Sequence, residues 1–113
     1  MAAIGPLPRT LYRAIRSQHA SWADFLSNLV RDQPPRGPEL ADPLEWAGIS
    51  VFDDLEVARQ RARDVPVLGR YVAELRIPGD APVLIRPSVG EHHWTLVGGA
   101  GVLFRCVVRV VRV

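Results

Sequence analysis

Apolar residues recur along the chain with two different periods, one typical of helices and one typical of strands. The helical period starts after Ser21, a suitable N-cap, and Pro34 and Pro35 end it. Its apolar stripe comprises Trp22, Phe25, Leu26, Leu29 and Val30. A second helix is predicted over 54–64, with Asp53 as its N-cap. The pattern therefore predicts two helices in the first part of the chain.

The later part of the chain alternates with the period of two that is expected for strands. We expect strands over 10–16, 46–52, 70–77, 83–86, 91–97 and 102–113. The proline-rich segment 33–43 is predicted to be a surface loop. Two early helices followed by consecutive strands indicate an α+β fold with a mixed or mainly antiparallel sheet.

Length and composition favour one globular domain. The chain has 113 residues, of which 48% are hydrophobic and 23% charged, and this balance argues against disorder. Residues 1–9 are rich in proline and are predicted to be a flexible lead-in to a single domain over 10–113. No signal peptide and no apolar run of about 20 residues is visible, so we expect a cytoplasmic protein without a membrane partner.

Charge and cysteine content narrow the candidate chemistry. The formal net charge is only +2, which makes nucleic acid an unlikely partner. The single cysteine, Cys106, excludes an intrachain disulfide. His92 and His93 are adjacent and point to opposite faces of a strand, so we expect no metal site. P-loop, dinucleotide-binding and nucleophile-elbow motifs are also missing.

Three polar residues stand in or at the start of apolar predicted strands: Arg13, Ser50 and Glu91. A polar group inside such a strand costs on the order of 1–3 kcal/mol unless it is hydrogen-bonded. We therefore expect these side chains to satisfy one another on adjacent strands, on one face of the sheet.

The order of these residues, with their flanking segments, resembles the ADP-ribosyltransferase superfamily in its mono-ADP-ribosylating, toxin-like branch with an Arg-Ser-Glu triad. The resemblance covers roughly 10–113. Its motifs are Leu11-Tyr12-Arg13, then Ser50 within the segment 46–52, and Glu91 at the start of a late strand. Val89 stands where the family often has a second Glu or Gln, which argues against arginine-directed transfer.

The resemblance implies a function and a site. The function is NAD-dependent mono-ADP-ribosyl transfer, or NAD glycohydrolysis, by a small bacterial toxin-like or effector-like domain with NAD as its substrate. It implies that Glu91 is the catalytic carboxylate and that Ser50 positions it. Arg13 and Tyr12 would bind NAD, together with His93, which shares the period-two face of Glu91.

Two other functions stay open at this point. A catalytically degenerate domain would bind a protein partner through its proline-rich loop and the arginine-bearing helix 54–64. An RNA-binding domain would use its arginines on phosphates. In either case Arg13, Ser50 and Glu91 would be ordinary structural or surface residues. The acceptor of ADP-ribose and the oligomeric state are left open.

Overall fold

Six antiparallel strands form one sheet in the computed structural model, which describes residues 7–113. In chain order they are β1 (Thr10–Ile15), β2 (Ile49–Phe52), β3 (Tyr71–Arg76), β4 (Leu84–Pro87), β5 (His93–Val97) and β6 (Val107–Arg112). Across the sheet the order is β4-β5-β2-β1-β3-β6, so the first strand of the chain lies inside the sheet. The predicted α+β class and antiparallel sheet are confirmed.

Within residues 7–113, three α-helices and three 3-10 turns accompany the sheet. The helices are α1 (Pro43–Ala47), α2 (Leu55–Asp64) and α3 (Ala100–Arg105), and the 3-10 turns span Trp22–Phe25, Gly37–Leu40 and Pro66–Leu68. The α2 helix forms close to its predicted range but begins one residue later, because Asp54 and not the predicted Asp53 is its N-cap, whose carboxylate accepts the amide of Val57 at 3.1 Å. No helix in the described part of the chain is long and apolar enough to cross a membrane.

The helix predicted between the N-cap Ser21 and Pro34 does not form, and only the turn Trp22–Phe25 remains of it. The carbonyl of Asp24 would accept an amide in a continuing helix, but it accepts Nε of Arg13 instead, at 2.8 Å. The apolar stripe is also not buried as a whole, since Val30 is 67% exposed. A tertiary hydrogen bond therefore outweighs the local helical pattern.

Three predicted strands begin at least two residues later than expected. The segment 102–113 divides into the end of α3 and strand β6, because Leu103 and Cys106 lie one turn apart and are buried together. The segment 46–52 begins as the end of α1. Glu91 lies in a turn before β5, where His92 has a φ of 60° that a strand does not allow.

The main core lies between one face of the sheet, α3 and the first 3-10 turn. Its largest fully buried members are Phe25, Leu11, Ile15, Leu75, Leu96 and Leu103. The α2 helix contacts β1, β2 and β3 and buries Ala58 and Ala62.

Most of the predicted lead-in, residues 1–6, lies outside the described residues, while the Arg9 carbonyl already accepts the amide of Ile77 at 2.8 Å.

The sheet opens between β1 and β2. Strand β1 pairs with β3 over six residue pairs, and β2 pairs with β5 over four. Between β1 and β2 the register holds only at Tyr12 and Phe52. We call the opening beyond this pair, between Arg13–Ile15 and Ile49–Val51, the split. It places an irregular gap near the middle of an otherwise continuous sheet.

Candidate functional site

A cavity of about 900 Å³ lies at the split, and we call it the cleft. Its walls include residues of β1 and β2, the loop 88–91 and the first 3-10 turn. Four of the five site residues predicted from the sequence lie on these walls: Arg13, Ser50, Glu91 and His93. The fold therefore collects residues from three neighbouring segments around one concave site.

Arg13 bridges the split. Its Nε donates to the Asp24 carbonyl at 2.8 Å, and its Nη1 donates to the Ser50 carbonyl at 2.9 Å. Burial lowers the pKa of this guanidinium to about 10, while the charge of Asp24 acts in the opposite direction, so Arg13 stays cationic at neutral pH. Within the described part of the chain these bonds use two of the five N–H donors of a guanidinium, which leaves donors for an anionic ligand.

Ser50 and His93 form a hydrogen-bonded pair in the cleft, between Ser50 Oγ and His93 Nε2. The other ring nitrogen, Nδ1, lies 2.7 Å from the carbonyl oxygen of Val89. A carbonyl oxygen only accepts, so Nδ1 carries the proton, and in the neutral ring Nε2 accepts from the Ser50 hydroxyl. The ring also stacks on Phe52, with centroids 5.0 Å apart. His93 is thus fixed in orientation and tautomer.

Glu91 lies at the cleft in an exposed turn, directly after Gly90, which has a φ of 102°. The sequence predicts that Ser50 positions this carboxylate, but the Ser50 hydroxyl bonds to His93. The structure therefore brings Glu91 to the same cavity as Ser50 through the loop 88–91, without the expected side-chain contact between them.

The predicted arrangement on one sheet face does not form. The pairing of Tyr12 with Phe52 puts Ser50 on the face of Phe52 and His93, and the alternation along β1 puts Arg13 on the opposite face. Arg13 meets the others only because the split lets its side chain reach the backbone of β2.

Tyr12, the fifth predicted site residue, points elsewhere. It pairs with Glu74 of β3, and its phenol lies beside the guanidinium of Arg109. Through its pairing with Phe52 it shares the sheet face of Ser50 and His93, so its position outside the cleft walls goes with its neighbours on β3 and β6 and not with the face that it occupies.

Glu45 is a cleft residue that the sequence did not indicate. It lies half-buried on α1, and its Oε2 accepts the hydroxyl of Thr95 at 2.7 Å and that of Ser88 at 3.2 Å. The sequence predicts a loop up to residue 43 and a strand from residue 46, so no short helix was expected between them. The available signal was Asp42-Pro43, an N-cap followed by the proline that favours a first helical turn.

The walls of the cleft favour an anionic ligand. Five arginines and four acidic residues line it: Arg13, Arg16, Arg31, Arg36 and Arg61, with Asp24, Glu39, Glu45 and Glu91. Two of the acidic side chains are engaged locally, since Asp24 accepts the amide of Ser21 at 2.8 Å and Glu39 that of Arg36 at 2.9 Å. These bonds from neutral amides leave the carboxylate charges in place, so five arginines against four acidic residues give the lining a formal charge of +1, a small positive excess. Among residues 7–113 no group of three or more His, Cys, Asp or Glu is placed to hold a metal ion.

A second histidine pair borders the cleft. The Asp53 carboxylate accepts Nδ1 of His92 at 2.7 Å and Nε1 of Trp94 at 2.9 Å. The amide of Asp53 also donates to the His92 carbonyl at 2.9 Å. These bonds join the end of β2 to the start of β5 and hold the turn that carries Glu91.

No protein family, curated protein or solved structure matches this chain. Support for a function comes from the residues of the cleft and the contacts between them.

Proposed function

We propose that the chain binds NAD in the cleft and cleaves the bond between nicotinamide and ribose, transferring ADP-ribose to an acceptor or to water. The observation that carries this proposal is the meeting of Arg13, Ser50, His93 and Glu91 around one cavity. The order of Arg13, Ser50 and Glu91 along the chain resembles that of the ADP-ribosyltransferase triad, and a shared cavity is what joint action on one substrate requires.

The binding part of the proposal rests on size and charge. A cavity of about 900 Å³ falls within the range of ligand pockets, roughly 300–1,000 Å³. NAD carries a negatively charged pyrophosphate, which suits the arginine-rich walls. Arg13 keeps N–H donors beyond its two backbone bonds and is the first candidate to hold a phosphate or the adjoining ribose.

The chemical part rests on the remaining three residues. When the bond from ribose C1′ to nicotinamide breaks, its electron pair leaves with nicotinamide and the ribose gains positive charge. In this proposal the carboxylate of Glu91, which is exposed and lines the cleft, stabilises that charge. The Ser50 hydroxyl donates to His93 and keeps lone pairs for a ribose hydroxyl, so the pair serves to orient the sugar.

The test is the rate of nicotinamide release by the parent protein and by Glu91→Gln. The variant keeps the shape of the side chain and loses its charge, so we expect release to slow about 10²–10³-fold. The denaturation midpoint should stay nearly unchanged, because surface substitutions usually change stability by no more than about 0.5 kcal/mol. The matched control is Glu56→Gln, an exposed carboxylate on α2 that pairs with Arg59 outside the cleft. A parent protein that neither binds nor cleaves NAD would contradict the proposal.

A further inference from the structure

Two side-chain hydroxyls hold the carboxylate of Glu45 in the cleft. Thr95, which donates to it at 2.7 Å, is only 2% exposed. Ser88 donates from a second direction, at 3.2 Å to Oε2 and 3.3 Å to Oε1. An ionised carboxylate accepts about four hydrogen bonds, so these two hydroxyls orient Glu45 and leave acceptor capacity, chiefly on Oε1.

The register of β2 and β5 places Glu45 beside the Ser50–His93 pair. Ser50 lies directly opposite Thr95 in the antiparallel pairing, so their side chains share one face and their Cβ atoms lie roughly 5 Å apart. His93 is two residues from Thr95 on the same strand and faces the same side. Glu45 bonds to Thr95 and therefore lies on the same side of the sheet as the Ser50–His93 pair.

The backbone around Glu45 is also fixed. Gly48, which follows α1, packs so closely on β5 that a Cβ there would lie 2.3 Å from Cγ2 of Thr95. The amide of Leu29 donates to the carbonyl of Trp46 at 3.2 Å and ties α1 from the other side. A carboxylate on a backbone held in this way is preorganised for a role at a defined point of the cleft.

We infer that Glu45 is a second catalytic carboxylate, the general base that activates a water molecule as the acceptor of ADP-ribose. The inference rests on the proposed function. The water oxygen bonds to ribose C1′ as the bond from C1′ to nicotinamide breaks, and the proton of the water passes to Glu45. The products are ADP-ribose and nicotinamide, and the proton is then released to solvent. Glu91 stabilises the charge on the ribose, and Glu45 supplies the nucleophile.

The experiment compares the full chain with Glu45→Gln, Glu45→Ala and the control Glu56→Gln. In Glu45→Gln the amide oxygen still accepts from Thr95 and Ser88, so the denaturation midpoint and the affinity for NAD should stay close to those of the parent. Turnover should fall about 10²-fold or more, the usual contribution of a general base, with kcat affected and KM little changed. A merely structural Glu45 would give a glutamine variant with parental kcat.

Rescue by azide provides the second measurement. Azide is an anionic nucleophile that needs no base, and Glu45→Ala makes room for it, so azide should restore nicotinamide release and yield ADP-ribosyl azide. A parental kcat in Glu45→Gln overturns the inference, and so does the absence of ADP-ribosyl azide from a folded Glu45→Ala. If Glu91→Gln still turns over slowly in that case, the proposed function stands. A parent protein without NAD cleavage overturns both.

Discussion

His92 shows how a single side chain can hold the turn next to the cleft. It is half exposed, takes a left-handed φ of 60° and bonds through Nδ1 to Asp53. That hydrogen bond, together with the charge of Asp53, raises the pKa of His92 above its ordinary value. The protonated ring is therefore favoured in the folded state.

This raised pKa predicts a pH-dependent stability. A histidine whose folded pKa exceeds its unfolded value, about 6.5, contributes its full stabilisation below that value and loses it as pH rises through the folded pKa. We expect the difference in unfolding free energy between the parent and His92→Asn to shrink as pH increases above about 6.5. Asparagine is the variant of choice because it tolerates a positive φ. Urea denaturation midpoints across pH 5–9 provide the measurement, and a constant difference would contradict the prediction.

At the level of single residues, the sequence predicted which residues line the cleft better than it predicted which side chains contact each other there. Arg13, Ser50 and Glu91 stood out because each interrupts or opens an apolar strand, and all three line the cavity. Their partners were not predictable, because the Ser50 bond to His93 and the Arg13 bonds to backbone depend on how strands separate at the split. Glu45 was not predicted because no local sequence pattern shows that Thr95, 50 residues away, donates a hydrogen bond to it.

At the level of elements, the junction between α1 and β2 depends on the absence of a side chain at Gly48. A Cβ there would also lie 3.0 Å from the carbonyl oxygens of Leu44 and Leu96, neither of which can rotate away. The short helix that carries Glu45 is thereby packed directly on β5.

Gly48→Ala is therefore expected to destabilise the fold by about 1–3 kcal/mol, the usual cost of overpacking. Because the added methyl group displaces Thr95, the variant should also lose NAD turnover through Glu45. Gly79→Ala is the matched control, since a Cβ at Gly79 meets nothing within 4 Å. Denaturation midpoints of both variants provide the test, and equal midpoints would show that the junction between α1 and β2 accommodates the added methyl group without loss of stability.

A capping signal did not by itself decide which elements were predicted correctly, since the helix after Ser21 does not form and the short α1 after Asp42 was not predicted. The α2 helix had an aspartate cap and small residues on its inner face, and it forms over Leu55–Asp64. The valine and leucine of α3 predict a strand, although Leu103 and Cys106 are spaced for one helical face. Short segments of this composition carry no decisive period, so packing on the first 3-10 turn and the burial of Leu103 in the main core select the helix.

At the level of the whole molecule, the cleft joins parts of the fold that are far apart in sequence. The β1 strand, the helix α1 and the loop 88–91 all contribute walls to it. The radius of gyration of 13.2 Å is close to the roughly 13 Å expected of a folded domain near this length. A ligand that contacts all three segments would therefore hold an already closed structure together.

NAD should accordingly raise the melting temperature. Ligand at 100 times its dissociation constant adds about 2.7 kcal/mol to the stability of the folded state. For a domain of this size each kcal/mol shifts the melting temperature by roughly 4 °C or somewhat more. Differential scanning fluorimetry with NAD, and with nicotinamide alone as the control, measures the effect. An unchanged melting temperature at millimolar NAD would favour the catalytically degenerate interaction domain.

The inner position of β1 has a consequence for how the chain is made. Ile15 pairs with Tyr71 and Thr10 with Arg76, so partner residues lie about 60 positions apart. At a synthesis rate of roughly 5–20 residues per second, β1 waits about 3–12 seconds on the ribosome before β3 emerges. The edge that pairs with β3 is open for the whole interval, and the edge that pairs with β2 is open until Phe52 is made; such edges invite pairing with other chains. The strand that carries Arg13 therefore completes its pairing only after β3 has been synthesised.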